Sequence, residues 1–188
     1  MTQADATQAQ KPVATRPTGF AFAAGIAVAA IVDLLTWNDL EPRYGPLLMV
    51  AAVTSLAIHD ARTSLVHRPT VRIATLLVFV AVAIEAARVG EWSWLIGSLA
   101  AAAIVYGVFL LLWLLPFDTI GGGDLRLGAL IGAGLGPLGA STTLQGIIYA
   151  FIAAALIGLP IGLFAKHKAT PFGPGLAIGA IAAILLHV

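Results

Sequence analysis

The chain has 188 residues, of which 60% are hydrophobic and 10% charged, against about a quarter charged in a soluble domain. That balance describes an all-α integral membrane protein, and a net charge of +1 with no basic or acidic block excludes a nucleic-acid or polyanion partner. With no cysteine, disulfides, a thiol nucleophile, cysteine-ligated zinc and iron–sulfur chemistry are excluded; His59, His67, His167 and His187 have no metal-site spacing, so no metal or cofactor is expected.

Residues 1–19 are polar, rich in Thr, Gln and Ala with Pro12 and Pro17, and read as a disordered cytoplasmic tail. A secretory signal peptide is the competing reading, but the stretch from Phe20 to Trp37 is about as long as a full span, not a short signal core. Apolar runs then follow at about 20–37, 46–60, 73–87, 92–115, 125–138, 143–165 and 174–188, which predicts a bundle of seven transmembrane helices in one domain, 20–188. The second, third, fifth and seventh runs fall short of the roughly 20 residues that cross the hydrocarbon, so they require local thinning or shielding by neighbours. Gly128, Gly132 and Gly136 recur every four residues, as do Gly158 and Gly162, and Gly175 and Gly179. Such faces suit close packing of the chain's own helices, with a seam between two copies, a homo-oligomer, as the second reading.

Lysine and arginine in short connections favour the cytoplasm. Lys11 and Arg16 precede the first run; Arg62, Arg68 and Arg72 lie between the second and third; Arg126 follows the fourth; Lys166 and Lys168 lie between the sixth and seventh. The other connections carry Asp39, Glu41 and Arg43, then Arg88 and Glu91, then no charge. The amino terminus is therefore expected inside and the carboxyl terminus outside. Arg62, Arg68 and Arg72 also suit contact with anionic lipid heads.

On that topology Asp60, closing the second run, and Asp124, opening the fifth, share the cytoplasmic side. A carboxylate in the bilayer costs roughly 2.5–3.5 kcal/mol at mid-membrane on insertion scales, less toward the interface, which makes each a functional candidate. Asp124 follows Gly121, Gly122 and Gly123, glycines that permit unusual backbone angles and close approach; a helix-capping role for it is compatible with catalysis. No Gly-Lys-Ser/Thr follows, so a Walker loop is excluded. Asp60 sits where the helix dipole disfavours a negative charge, and pairing with Arg62 is the alternative to a chemical role. Two carboxylates within hydrogen-bond reach hold one proton between them near neutral pH: the ionised member can activate water and the protonated member can stabilise an oxyanion. Asp33 and Glu85, near the outer helix ends, read as structural, Glu85 with Arg88 one turn on and Asp33 near Trp37 and Asn38 at the interface. His59 projects about 100° from Asp60 around the helix, leaving it at most a tuning role.

These residues resemble the type IV prepilin peptidases, polytopic GxGD aspartyl proteases that include the archaeal preflagellin peptidases. Asp60-Ala61-Arg62, with Val66-His67-Arg68 in place of the usual Ile-Pro-Asn, resembles the first-aspartate motif. Gly121-Gly122-Gly123-Asp124-Leu125-Arg126-Leu127 resembles the GxGD-x-Lys-Leu segment, and Pro171-Phe172-Gly173-Pro174 the PFGP-type segment opening the last helix. The resemblance covers about residues 46–188. It implies that Asp60 and Asp124 are the catalytic pair, with Gly121, Gly123, Arg62, Arg126, Pro171, Gly173 and Pro174 in support. It also implies a prepilin or pseudopilin substrate whose short basic leader is cut at the cytoplasmic face of a prokaryotic inner membrane.

The departures carry their own expectations. Many members have a methyltransferase region after the first helix, often with paired Cys-x-x-Cys motifs, whereas only Asn38 to Gly45 fills that connection, so neither N-methylation nor zinc is expected. Presenilin-like and signal-peptide-peptidase-like proteases share GxGD but pair it with Tyr-Asp and a later Pro-Ala-Leu, where this chain has His59-Asp60 and PFGP. A small transporter or a non-catalytic assembly subunit is the reading from another class, and acids gathered at one face weigh against it.

Overall fold

In the computed structural model residues 19–36, 41–63, 68–114, 121–164 and 173–187 are described, without the side chains of 62, 63, 68 and 158–164. The predicted tail, apart from its last residue, therefore lies outside the described residues, as do Pro171 and Phe172, His67, Lys166 and Lys168. Seven α-helices are described: α1 (Gly19–Leu35), α2 (Tyr44–Thr63), α3 (Arg68–Val89), α4 (Ser93–Leu114), α5 (Gly122–Leu135), α6 (Ala140–Phe164) and α7 (Gly173–His187). Four of them, α2, α3, α4 and α6, are long and apolar enough to cross a membrane, and α1 and α7 are shorter apolar helices. The protein is an all-α, multi-pass membrane bundle.

Two hydropathy runs proved shorter than the helices that contain them. α2 has 20 residues and α3 has 22, because the backbone stays helical through terminal polar residues such as Arg72 that a count of apolar residues leaves out. The fifth run errs the other way. α5 stops at Leu135 after 14 residues and turns through a single 3-10 turn, Gly136–Leu138, because Pro137 has no N–H to continue the ladder. The residue whose carbonyl would have taken that bond is Ala133, and the hydroxyl of Ser98 on α4 donates to it instead at 2.6 Å, in a fully buried position.

α5 is the axis of the bundle. Leu125, Leu127, Leu130, Ile131, Ala133 and Leu135 are all buried, and α2, α3, α4 and α7 each pack against it. A helix apolar on every side belongs inside, and its shortness is tolerable because protein, not lipid, surrounds it. The outward faces of α3 and α4 carry Ile73, Leu76, Leu77, Val80, Ile96, Leu99 and Leu111, exposed in the isolated chain and suited to lipid tails.

The glycine faces set how closely the helices approach. On α5, Gly128 faces Val105 and Phe109, Gly132 faces Ala101, and Gly136 abuts Gly97, one antiparallel register against α4. A methyl group at Gly132 would lie 2.6 Å from the Ala101 carbonyl oxygen. On α7 the same logic repeats against α6: Gly175 meets Ala154, Gly179 meets Ala150, Ala183 meets Gly146, and His187 Nδ1 lies 2.8 Å from Thr142 Oγ1. Both faces are occupied within the chain, the close approach that small residues permit.

The acids near the other ends of α1 and α3 are structural, with partners the sequence did not indicate. Glu85 accepts the amides of Arg43 and Tyr44 at 2.7 and 3.0 Å, capping the start of α2, rather than pairing with Arg88. Asp33 pairs with the Arg43 guanidinium. A carboxylate at a helix start satisfies free amides and suits the dipole, an advantage that an exposed pairing with Arg88 does not offer.

Candidate active site

α2 and α5 pack against one another with the last turn of one and the first turn of the other at the same end of the bundle, and each of these turns carries an aspartate. Asp60 is 5% exposed and Asp124 8%, and they are close enough for the charge of Asp60 to act on Asp124. A buried carboxylate must be compensated, and each is compensated in the same way, by a glycine amide on one oxygen.

For Asp124 the partner is local. The Gly121 amide donates to its Oδ2 at 3.0 Å, while the Asp124 amide donates back to the Gly121 carbonyl at 2.9 Å, a reciprocal cap at the start of α5. Capping and a place in the carboxylate pair thus coincide in this residue. None of the GGGD glycines is held at an unusual backbone angle: Gly121 has φ −76° and ψ 148°, and Gly122 and Gly123 are already helical. A methyl at Gly121 would come 3.3 Å from Asp124 Oδ2. Positive φ occurs at Gly90 and Gly139 instead, both in turns. Arg126 reaches back one turn and donates from Nη1 to the Gly122 carbonyl at 2.7 Å, bracing the helix start from its partly buried position.

For Asp60 the partner is remote. The amide of Gly173, the first residue of α7, donates to Asp60 Oδ2 at 3.1 Å across 113 residues of sequence. Pro174 follows in the first helical turn, where its missing N–H costs nothing. Arg62 lies in α2 two residues after Asp60, with its side chain outside the described residues, and Pro171 lies outside them altogether. His59 is buried beside Asp60.

The Gly173 amide is the element that reading side chains could not find. Its only sequence signal is the glycine within Pro171-Phe172-Gly173-Pro174. Among the described residues no three His, Cys, Asp or Glu side chains converge as metal ligands would. The arrangement is two buried carboxylates with one oxygen of each held and the other, Oδ1, making no hydrogen bond among the described residues. Such a pair can bind a water molecule and move protons to and from it.

Comparison with curated proteins and with solved structures gives no match. Residues 47–163 match the model of the type IV leader peptidase family, a stretch that includes both aspartates and ends before the Pro171–Pro174 segment. That stretch is more than half of the chain: the protein belongs to the type IV leader peptidase family and is an aspartic-type prepilin peptidase.

Proposed function

We propose that the enzyme removes the leader peptide of type IV prepilins or pseudopilins at the cytoplasmic face of the inner membrane, with Asp60 and Asp124 as the catalytic pair. The observation that carries this reading is that the only two acids at this end of the described bundle, on different helices, are both buried, each held by a glycine amide on Oδ2 and with no hydrogen bond to Oδ1 among the described residues. The ionised carboxylate takes a proton from a water held between the two. The resulting hydroxide attacks the scissile carbonyl, and the protonated carboxylate donates to the developing oxyanion. The proton gained by the first carboxylate then passes to the leaving amine, and the pair returns to its one-proton state.

Position in the membrane supports the substrate class. With α2 ending and α5 beginning on the arginine-bearing side, the pair faces the cytoplasm, where a short basic leader ahead of an apolar stem would meet it. The connection from α1 to α2 is too short for a methyltransferase region, so the product is expected with an unmethylated amino terminus.

Co-expression with a candidate prepilin in a host lacking its own peptidase, followed by intact mass of the pilin, tests the reading. The expected product has lost its leader at one bond and carries no added methyl group. Full-length pilin with every prepilin tried, from cells in which the enzyme is inserted and folded, would overturn it.

A further inference from the structure

We propose that Gly173 is a positioning residue for Asp60, so that the start of α7 is a working part of the active site and not only a packing element; this rests on the reading that Asp60 and Asp124 cleave the substrate. Three observations converge on it. The Gly173 amide holds Asp60 Oδ2 at 3.1 Å in a buried position. A methyl added at Gly173 would come 2.7 Å from that oxygen, 3.3 Å from Cγ and 3.2 Å from Cβ of Asp60, so any side chain there must push the Asp60 carboxylate aside. Asp60 also closes α2, where its own helix dipole disfavours a negative charge, whereas the start of α7 presents the Gly173 amide and a favourable dipole to it.

The result is a matched pair built from unmatched positions. Asp124 gains a helix start and a glycine amide from its own segment, α5 and Gly121. Asp60 has neither nearby in sequence and receives both from α7, 113 residues away. Gly175 and Gly179 seat α7 on α6, and Gly173, at the same end of the helix, is thereby fixed against α2. The bond sets the rotation of the Asp60 carboxylate and leaves Oδ1 for the reacting water. Displacing a reacting group by about an ångström costs on the order of 100-fold in rate.

The test uses the full-length enzyme purified in lipid or detergent, with prepilin as substrate. Gly173→Ala should lower kcat about 100-fold while KM stays within about threefold, because the leader is still bound but the carboxylate is turned. Gly107→Ala, whose added methyl meets nothing within 4 Å, is the control and should match wild type. Thermal unfolding gives a readout independent of activity: Gly173→Ala should lower Tm in the wild type and by clearly less in an Asp60→Ala background, where the atoms it strikes at 2.7 and 3.3 Å are gone. Equal losses in the two backgrounds, failure of both to fold, or wild-type kcat in Gly173→Ala would each overturn the proposal. Asp60→Asn and Asp124→Asn assayed alongside keep the two claims apart: cleavage by either refutes the pair itself, whereas inactive aspartate variants beside a fully active Gly173→Ala refute only the role of the amide.

Discussion

Replacing Ser98 with alanine removes one hydroxyl from the seam between α4 and α5, and the structure says what that should cost. The hydroxyl donates at 2.6 Å to the Ala133 carbonyl, a group that Pro137 leaves without a donor in its own helix and that is buried from solvent. Interhelical hydrogen bonds within membrane bundles average only about 0.6 kcal/mol, because the freed groups usually find other partners. Here the freed acceptor has none, so the loss belongs with buried unsatisfied groups, about 1–3 kcal/mol. The assay is reversible denaturation of the purified protein, read by tryptophan fluorescence. A cycle with Pro137→Ala isolates the cause: an N–H restored at 137 offers the Ala133 carbonyl a second donor, and the cost of Ser98→Ala should fall in that background. A cost below about 0.5 kcal/mol, or one unchanged by Pro137→Ala, would refute the reasoning. The folded fraction of Ser98→Ala should cleave substrate normally, since the bond lies on the far part of α5 from Asp124.

Three further outcomes are expected. Glu85→Gln keeps the shape of the side chain but not the charge that caps α2, and should cost about 1 kcal/mol in denaturation with little change in the kcat of the folded enzyme; a cost only in Arg88 variants would contradict the capping assignment. The chain has no cysteine, so single cysteines report orientation without background: Glu91→Cys should react with an impermeant thiol reagent from outside the cell and Arg72→Cys only after the membrane is opened, the reverse pattern overturning the proposed topology. The kcat of cleavage should fall on both the acid and the alkaline side, since acid protonates both carboxylates and removes the base, while alkali ionises both and removes the acid; a profile with one limb would contradict a shared-proton pair.

Much of this was legible in the residues. Seven apolar runs became seven helices, because hydropathy reports on the bilayer that shapes the bundle. The glycine spacings on α5 and α7 were legible as packing faces, since four-residue periodicity is a helix property that neighbours must respect. Helix ends were less legible. Charged residues cut the second and third runs short on paper while the backbone continued, and the break at Pro137 went unmarked in an otherwise unbroken apolar run. Partners were least legible. Glu85 caps a helix 41 and 42 residues back, and Asp60 is held by an amide 113 residues ahead, and such pairings depend on lateral helix order, which hydropathy does not encode.

The central claim, that two aspartates act as one catalytic unit, is tested most directly by the cleavage rate of purified wild type, Asp60→Asn and Asp124→Asn on a single prepilin. Each asparagine keeps an oxygen to accept its glycine amide, so the bundle should remain folded, with unfolding midpoints near the wild type. Both variants should lose cleavage by at least about 1,000-fold, and the double variant should be no worse than either alone, the non-additivity of residues that act as a unit. Substantial cleavage by a folded Asp60→Asn or Asp124→Asn would contradict the account.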